Sequence, residues 1–357
     1  MAETQFVAEK PMSITGGRPR VATLLAFLSV LLVLVFLSSL SIGATGVLPL
    51  DTWWSLFSDR DVAGTDGILI LLDIRLPRTL LAMFVGAALA VAGAMMQGMF
   101  RNPLADPGLI GVSSGAALAA VTVIAFGHGI AAPLVALLGR HALPLAAFTG
   151  GLAVTSFLVA FSGGTRPLST AGLLLAGLAI AALAQAFMGI AAYASDDRAL
   201  RDLTLWTLGS FAGASWQKVF AVIPFAVVAS ILLPRLVRGL NGLLLGEAEA
   251  FHLGIDVRRM KYMIVFATAA LVGAAVAVAG IIGFVGIVVP HVVRLIAGPD
   301  HRVVLPASAL LGGTLAISAD IVARTVVAPA ELPVGIVMAL IGAPFFLHLI
   351  LKRAGHV

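Results

Sequence analysis

The stretch LNGLLLGEAEAFHLGIDVRRMK, Leu240 to Lys261, is a polar, charge-bearing island in a chain that is otherwise nearly continuous hydrocarbon. Its core, Gly246 to Leu253, reads as a short surface helix. Glu247 and Glu249 fall in the first turn, where carboxylates meet the positive end of the helix dipole, and Gly254 follows where a left-handed cap is wanted. Leu245, Ala248 and Leu253 give it a modest apolar side that can lie against something, with Glu249, His252 and Asp256 in water. Set between two long apolar runs, the island is either an ordinary solvated connection or a handle by which a soluble partner grips a membrane bundle.

The runs on either side decide the fold class. Of the 357 residues, 60% are hydrophobic and 11% charged, and the mean hydropathy is +1.09, far outside the range of a soluble domain. In hydrocarbon every backbone polar group must be satisfied internally, so apolar runs of this length imply an all-α integral membrane protein. A span needs roughly 20 apolar residues, which makes about ten transmembrane helices here. Cysteine is absent, excluding disulfides and thiolate metal sites. The pI near 10.2 does not point to nucleic acid, because the basic residues sit at the ends of hydrophobic runs, where orientation signals belong.

Residues 1–20 form a polar arm, 21–352 the transmembrane domain with the 240–258 connection between spans six and seven, and 353–357 a tail. The expected spans run from about 21 to 42, 76 to 99, a third ending near Phe126, then 144–161, 168–194, 219–237, 262–278, 281–296, 303–319 and 333–351. Gly43 to Ile70 is an outer loop with Trp53 and Trp54 as interface anchors. Gly127 to Leu143 holds a short non-spanning piece, and Ser195 to Gln217 includes a surface helix around Trp206. After the second span, Asn102 can cap and Pro103 can start the next helix, at a position that needs no N–H.

With the N-terminus inside, 14 of the 22 basic residues and seven of the 17 acidic ones fall on the inner side, leaving eight and ten outside. The excess of Lys and Arg inside is the orientation signal, and it places both termini and the island in the cytoplasm. No G-x-x-x-x-G-K-[ST] loop occurs, so the chain is not itself an ATPase of the P-loop kind. Acids fall at or near span ends, Asp320 coming closest to an exception, which disfavours an ion-coupled secondary transporter. The seven histidines lack metal-ligand spacing, and no convergent set of polar groups within the spans marks a catalytic site. What remains is a charge-poor bundle driven from outside itself.

Five ordered motifs carry a resemblance: RLPRTL from Arg75, QGMFRNPLADPGLIGVSSGA from Gln97, GFVGIVVPHVVR from Gly283, ADIVAR from Ala319 and ELPVG from Glu331. Together, from about Leu72 to Lys352, they resemble the FecCD family, the permease subunits of ABC importers for ferric siderophores, haem and vitamin B12. The resemblance implies a homodimer of ten-helix subunits in the bacterial inner membrane. Two separate ATPase subunits would hold ATP and Mg, a periplasmic substrate-binding protein would deliver the cargo, and this chain would bind no cofactor of its own.

It also implies roles for residues. The island becomes the helix that docks into the ATPase, with the family's A-x-x-L-G pattern on Ala250, Leu253 and Gly254 beside Glu247 and Glu249. Arg75, Arg78 and Arg324 match arginines that pair with carboxylates of the binding protein; the alternative for each is an interfacial anchor to lipid phosphate. Asn102, Leu104, Ser169 and Thr170 fall where the family has its cytoplasmic gate, although Asn102 and Ser169 also read as helix-terminal residues. Pro290, His291 and Arg294 read as structural, a kink and an inner anchor. The path from the fifth and tenth spans is rich in Ala, Gly, Leu and Met, with Gln185, Met188 and Met338 distinctive. A wall of that kind passes a bulky, partly apolar chelate, so haem is the first expectation, with a ferric siderophore or cobalamin as alternatives.

Overall fold

The computed structural model describes residues 21–43, 46–47, 65–127, 129, 131–162 and 170–354. Trp53, Trp54, the N-terminal arm and Ser169 lie outside them. Helix α1 (Val21–Ser41) is followed by a two-stranded antiparallel hairpin, Ile42–Gly43 with Gly46–Val47. Helix α2 (Thr65–Leu69) passes through a wider π-type turn (Ile70–Arg75) straight into α3 (Leu76–Phe100). A 3-10 turn (Pro107–Ile110) leads to α4 (Val112–Phe126). The short α5 (Ala132–Leu138), α6 (Ala142–Ser162), α7 (Thr170–Tyr193) and the surface helix α8 (Asp197–Thr207) come next. The remainder is α9 (Trp216–Leu245), α10 (Glu247–His252), α11 (Val257–Ala279), α12 (Val285–Ala297), α13 (His301–Thr325) and α14 (Val334–Ala354).

Among the described residues seven helical segments are long and apolar enough to cross a membrane, and three shorter apolar helices bring the total to ten. They form two layers. Of the most apolar stretch of each helix, 72% is buried in α3 and α11 and 61% in α13, against 6% in α1 and 17% in α7 and α9. The centre is therefore α3, α11 and α13, whereas α1, α7 and α9 turn apolar side chains outward.

Lipid offers no hydrophobic drive for helices to associate, so the central helices meet through small residues that let backbones approach. Gly86 of α3 faces the Gly312 backbone and the Ala316 methyl of α13, and Gly93 faces Gly286 of α12. A Cβ at Gly86 or Gly93 would overlap the facing backbone.

Two expected spans differ. The eighth is a helix of only 13 residues, about 20 Å by helical rise, because positive φ at Gly280 and Phe284 keeps the chain unwound before Val285. The sixth is longer than expected, at 30 residues, with Pro224 and Pro234 inside it.

Candidate functional site

Polar chemistry in this bundle gathers at its two ends. Arg78 and Gln97 mark them, nineteen residues apart on α3 and so about 28 Å by helical rise.

At the first end, the guanidinium of Arg78 grips the Asp320 carboxylate of α13 with Nε and Nη2, at 2.8–3.1 Å, and donates Nη1 to Glu331 at 2.8 Å. Arg324, one turn beyond Asp320, lies 3.7 Å from its other oxygen and donates to the carbonyl and hydroxyl of Ser39 on α1. Arg75 donates to the Leu40, Ser41 and Gly46 carbonyls. Three arginines and two acids thus tie α1, α3, α13 and the segment before α14 together.

The arginines expected to dock the binding protein are placed inside the bundle: Arg75, Arg78 and Arg324 are 3%, 8% and 2% exposed and bond within their own chain. Only Glu331, with 28% of its side chain exposed, opens to solvent. Asp320, fully buried, is neutralised by Arg78, which explains an acid so far inside a span.

At the opposite end lies α10, one residue shorter at each end than the expected 246–253. Gly246 and Gly254 flank it with φ of +123° and +78°, a backbone that L side chains adopt at a cost. Glu247 and Glu249 sit in its first turn, and Lys261 of α11 pairs with Glu247 at 2.7 Å. The apolar side expected of Leu245, Ala248 and Leu253 does not pack on the bundle: all three are exposed, and Ala250 alone is buried. Phe251, 71% exposed, joins Leu245 and Leu253 in an apolar surface that sequence reasoning missed. Its signal was present, as a large aromatic within a polar island.

The turn after α3 also differs from expectation. Arg101 adopts a left-handed conformation, the Asn102 N–H donates to the Gln97 carbonyl at 3.1 Å, and the Asn102 side chain accepts from the Leu104 N–H at 3.0 Å. Asn102 therefore closes a turn on itself, and Pro103 starts no helix. Pro107 does, capped by Asp106, whose carboxylate accepts from the Gly108 N–H at 2.7 Å. Burial pushes the Asp106 carboxyl up, against that N–H. Thr170 opens α7.

Of the expected path residues, Gln185 is exposed on α7. Met188 is half-buried against Val121, Ala191 and Leu203. Met338 is 2% exposed within the main core, so it lines no open path.

Between α10 and the turn after α3 runs a set of polar contacts that sequence reasoning did not assemble. Asn241 of α9 donates to Asp300 at 2.7 Å and accepts from the His301 N–H at 2.9 Å. His301, fully buried, contacts Arg294 of α12, which bonds the Gln97 amide and the Ala94 carbonyl of α3. Burial alone would raise the Asp300 carboxyl, but the Arg302 N–H and the Asn241 amide outweigh it and hold it below its usual range.

The described residues thus form a multi-pass helical bundle with an ionic staple at one end and an exposed apolar surface at the other. Residues 31–352 match the FecCD transport family. The chain is 45% identical to the hemin transport system permease protein HmuU of Yersinia pestis, over 95% of this chain and 98% of that one. It is 43% identical to the vitamin B12 import system permease protein BtuC of an Escherichia coli O6:H1 strain, over 91% and 94%. A solved inward-facing conformation of a metal-chelate type ABC transporter superposes with a TM-score of 0.80 at 34% identity, covering 93% of this chain and 99% of that one. The chain belongs to the FecCD family and is a membrane permease of the ABC importer type, whose ATPase is a separate subunit.

Proposed function

We propose that this chain imports haem across a bacterial inner membrane as a homodimer, served by two ATPase subunits and a periplasmic substrate-binding protein. The observation that carries the permease role is α10, anchored through Ala250 while Leu245, Phe251 and Leu253 face outward. Such a surface is a ready contact for a soluble subunit. ATP and Mg belong to that subunit, and this chain holds no cofactor.

The α10 end faces the cytoplasm with both termini, and the Arg78 end faces the periplasm; the bias of Lys and Arg supports this orientation. Single cysteines placed at Glu249 and Asp197 of this cysteine-free chain, probed with an impermeant maleimide in intact cells, test it. Labelling of Asp197→Cys and protection of Glu249→Cys are expected, and the reverse pattern refutes the orientation.

Cargo passes between the two copies along the outward faces of α7 and α14, on which Gln185 and Leu340 are exposed. Asn102, Leu104, Ser169 and Thr170 form the inner gate. At the outer end Arg78 is the docking cation, with a carboxylate of the binding protein replacing Glu331 on its outer N–H groups. Arg75 and Arg324 support it from beneath. Nucleotide shifts the alternation of gates only by its differential affinity for the two states.

Likeness to the haemin permease and a weakly polar wall support haem. The similar likeness to the B12 permease keeps cobalamin as the second reading. Uptake by the purified complex in liposomes, measured for haem, a ferric siderophore and cobalamin, decides between them. Accumulation driven by an ion gradient with this chain alone would overturn the importer reading.

A further inference from the structure

The polar contacts at the α10 end form a directed chain. Arginine can only donate, so the 3.2 Å contact between Arg294 Nη2 and His301 Nε2 makes that ring nitrogen the acceptor. The ring proton then lies on Nδ1, which donates to Asn241 Oδ1 at 2.9 Å, and Asn241 Nδ2 donates to Asp300 Oδ1 at 2.7 Å. On the other side Arg294 Nη1 donates to Gln97 Oε1, and Gln97 Nε2 donates to the Ile287 carbonyl at 3.1 Å. Every link is oriented, and the imidazole is neutral in one tautomer.

The two termini of this chain of bonds give it a role. Asn241 is in the last turns of α9, five residues before the Gly246 turn that leads into α10. Gln97 is in the last turn of α3, and its own carbonyl accepts the Asn102 N–H that closes the Arg101–Asp106 turn. The intervening links sit on α13 and α12. Gln97 and His301 are 2% and 0% exposed, so these bonds are protected from exchange with water, and an unmade one leaves a costly buried polar group. An apolar contact could slide here, but a fully satisfied polar chain moves as a unit or not at all.

We propose that Asn241, His301, Arg294 and Gln97 are positioning residues that carry displacement of α10 to the turn at Asn102, coupling the ATPase to the inner gate. The inference rests on the reading of α10 as the ATPase contact. Spatial adjacency does not by itself establish coupling, so the test removes one link and watches both ends.

Gln97→Met keeps the side-chain volume while removing the acceptor for Arg294. In the full complex in liposomes, bundle unfolding temperature, ATPase co-purification and ATP hydrolysis are expected to stay near wild type. Transport per ATP is expected to fall about tenfold, within the usual range of coupling free energies. Spin labels at Arg101→Cys and Glu249→Cys read the two ends directly: on ATP binding the Glu249 label shifts in both proteins, the Arg101 label only in wild type.

A wild-type shift at Arg101 in Gln97→Met, or unchanged transport per ATP, overturns the proposal. If Gln97→Met does not fold, Asn241→Leu at the partly exposed end carries the same measurements with the same outcomes. A Glu249 label that stays still in wild type would instead refute α10 as the lever, and the relay with it.

Discussion

The two ends of α3 solve the same packing problem with opposite chemistry. At Arg78 the helix is held to α13 by full charges in bidentate geometry, two acids against three arginines, nearly all of it out of water. At Gln97 one guanidinium is shared among an amide, a carbonyl and an imidazole, and the ion pair nearby, Lys261 with Glu247, lies on the surface. Separating a buried ion pair strands both charges, whereas at Gln97 a single cation is held by neutral acceptors in a buried chain of bonds that shifts as one piece. The first end is built to stay fixed, the second to rearrange as a unit.

Breaking the fixed end should have the largest effect. Arg78→Glu sets a second carboxylate against buried Asp320, and a loss of at least about 3–5 kcal/mol is expected, enough to remove the folded protein. Detergent-solubilised size-exclusion profiles check this, and a monodisperse variant of normal stability would show the staple to be dispensable.

The rearranging end answers differently. Leu253→Asp should leave the bundle melting temperature alone while weakening ATPase binding by about 2 kcal/mol, the cost of losing an apolar anchor at an interface. Pull-down with the ATPase measures it. Glu331→Gln, in the half-open part of the staple, should cost the bundle only about 1 kcal/mol while preserving a hydrogen bond to Arg78. If Arg78 is the docking cation, binding-protein affinity should rise in this variant, since the competing carboxylate is gone. The smallest effect is expected from Lys261→Ala, about 0.5 kcal/mol or less and fading with added salt, as for other surface pairs.

The helical class and the short α10 helix were legible in the chain because both rest on local signals: unbroken apolar runs, and a charged island with two acids before a glycine. Other features were not local. Nothing in the spacing of Arg78 and Asp320, 242 residues apart, says that they meet, so arginines at a span end looked exposed when they are internally paired. Asp320 passed as a span-end acid because the ninth helix runs on to Thr325 rather than stopping near Ala319. Pro103 was indistinguishable from Pro107 as a helix start until Asn102 was seen bonding its own turn. Met338 is found in the core rather than on a path, and Phe251 on the surface, because burial depends on which neighbours arrive, and no periodicity reports that.

The 30 residues of α9 span about 45 Å, while the oily interior of a bilayer is about 30 Å thick. Set upright, such a helix has roughly ten residues, about 15 Å of rod, to share between its two ends outside the hydrocarbon, and α10 is mounted at one tip. A motor protein need not touch lipid to reach it. If α10 is the ATPase contact proposed above, a nucleotide-binding subunit can push on it there without entering the bilayer.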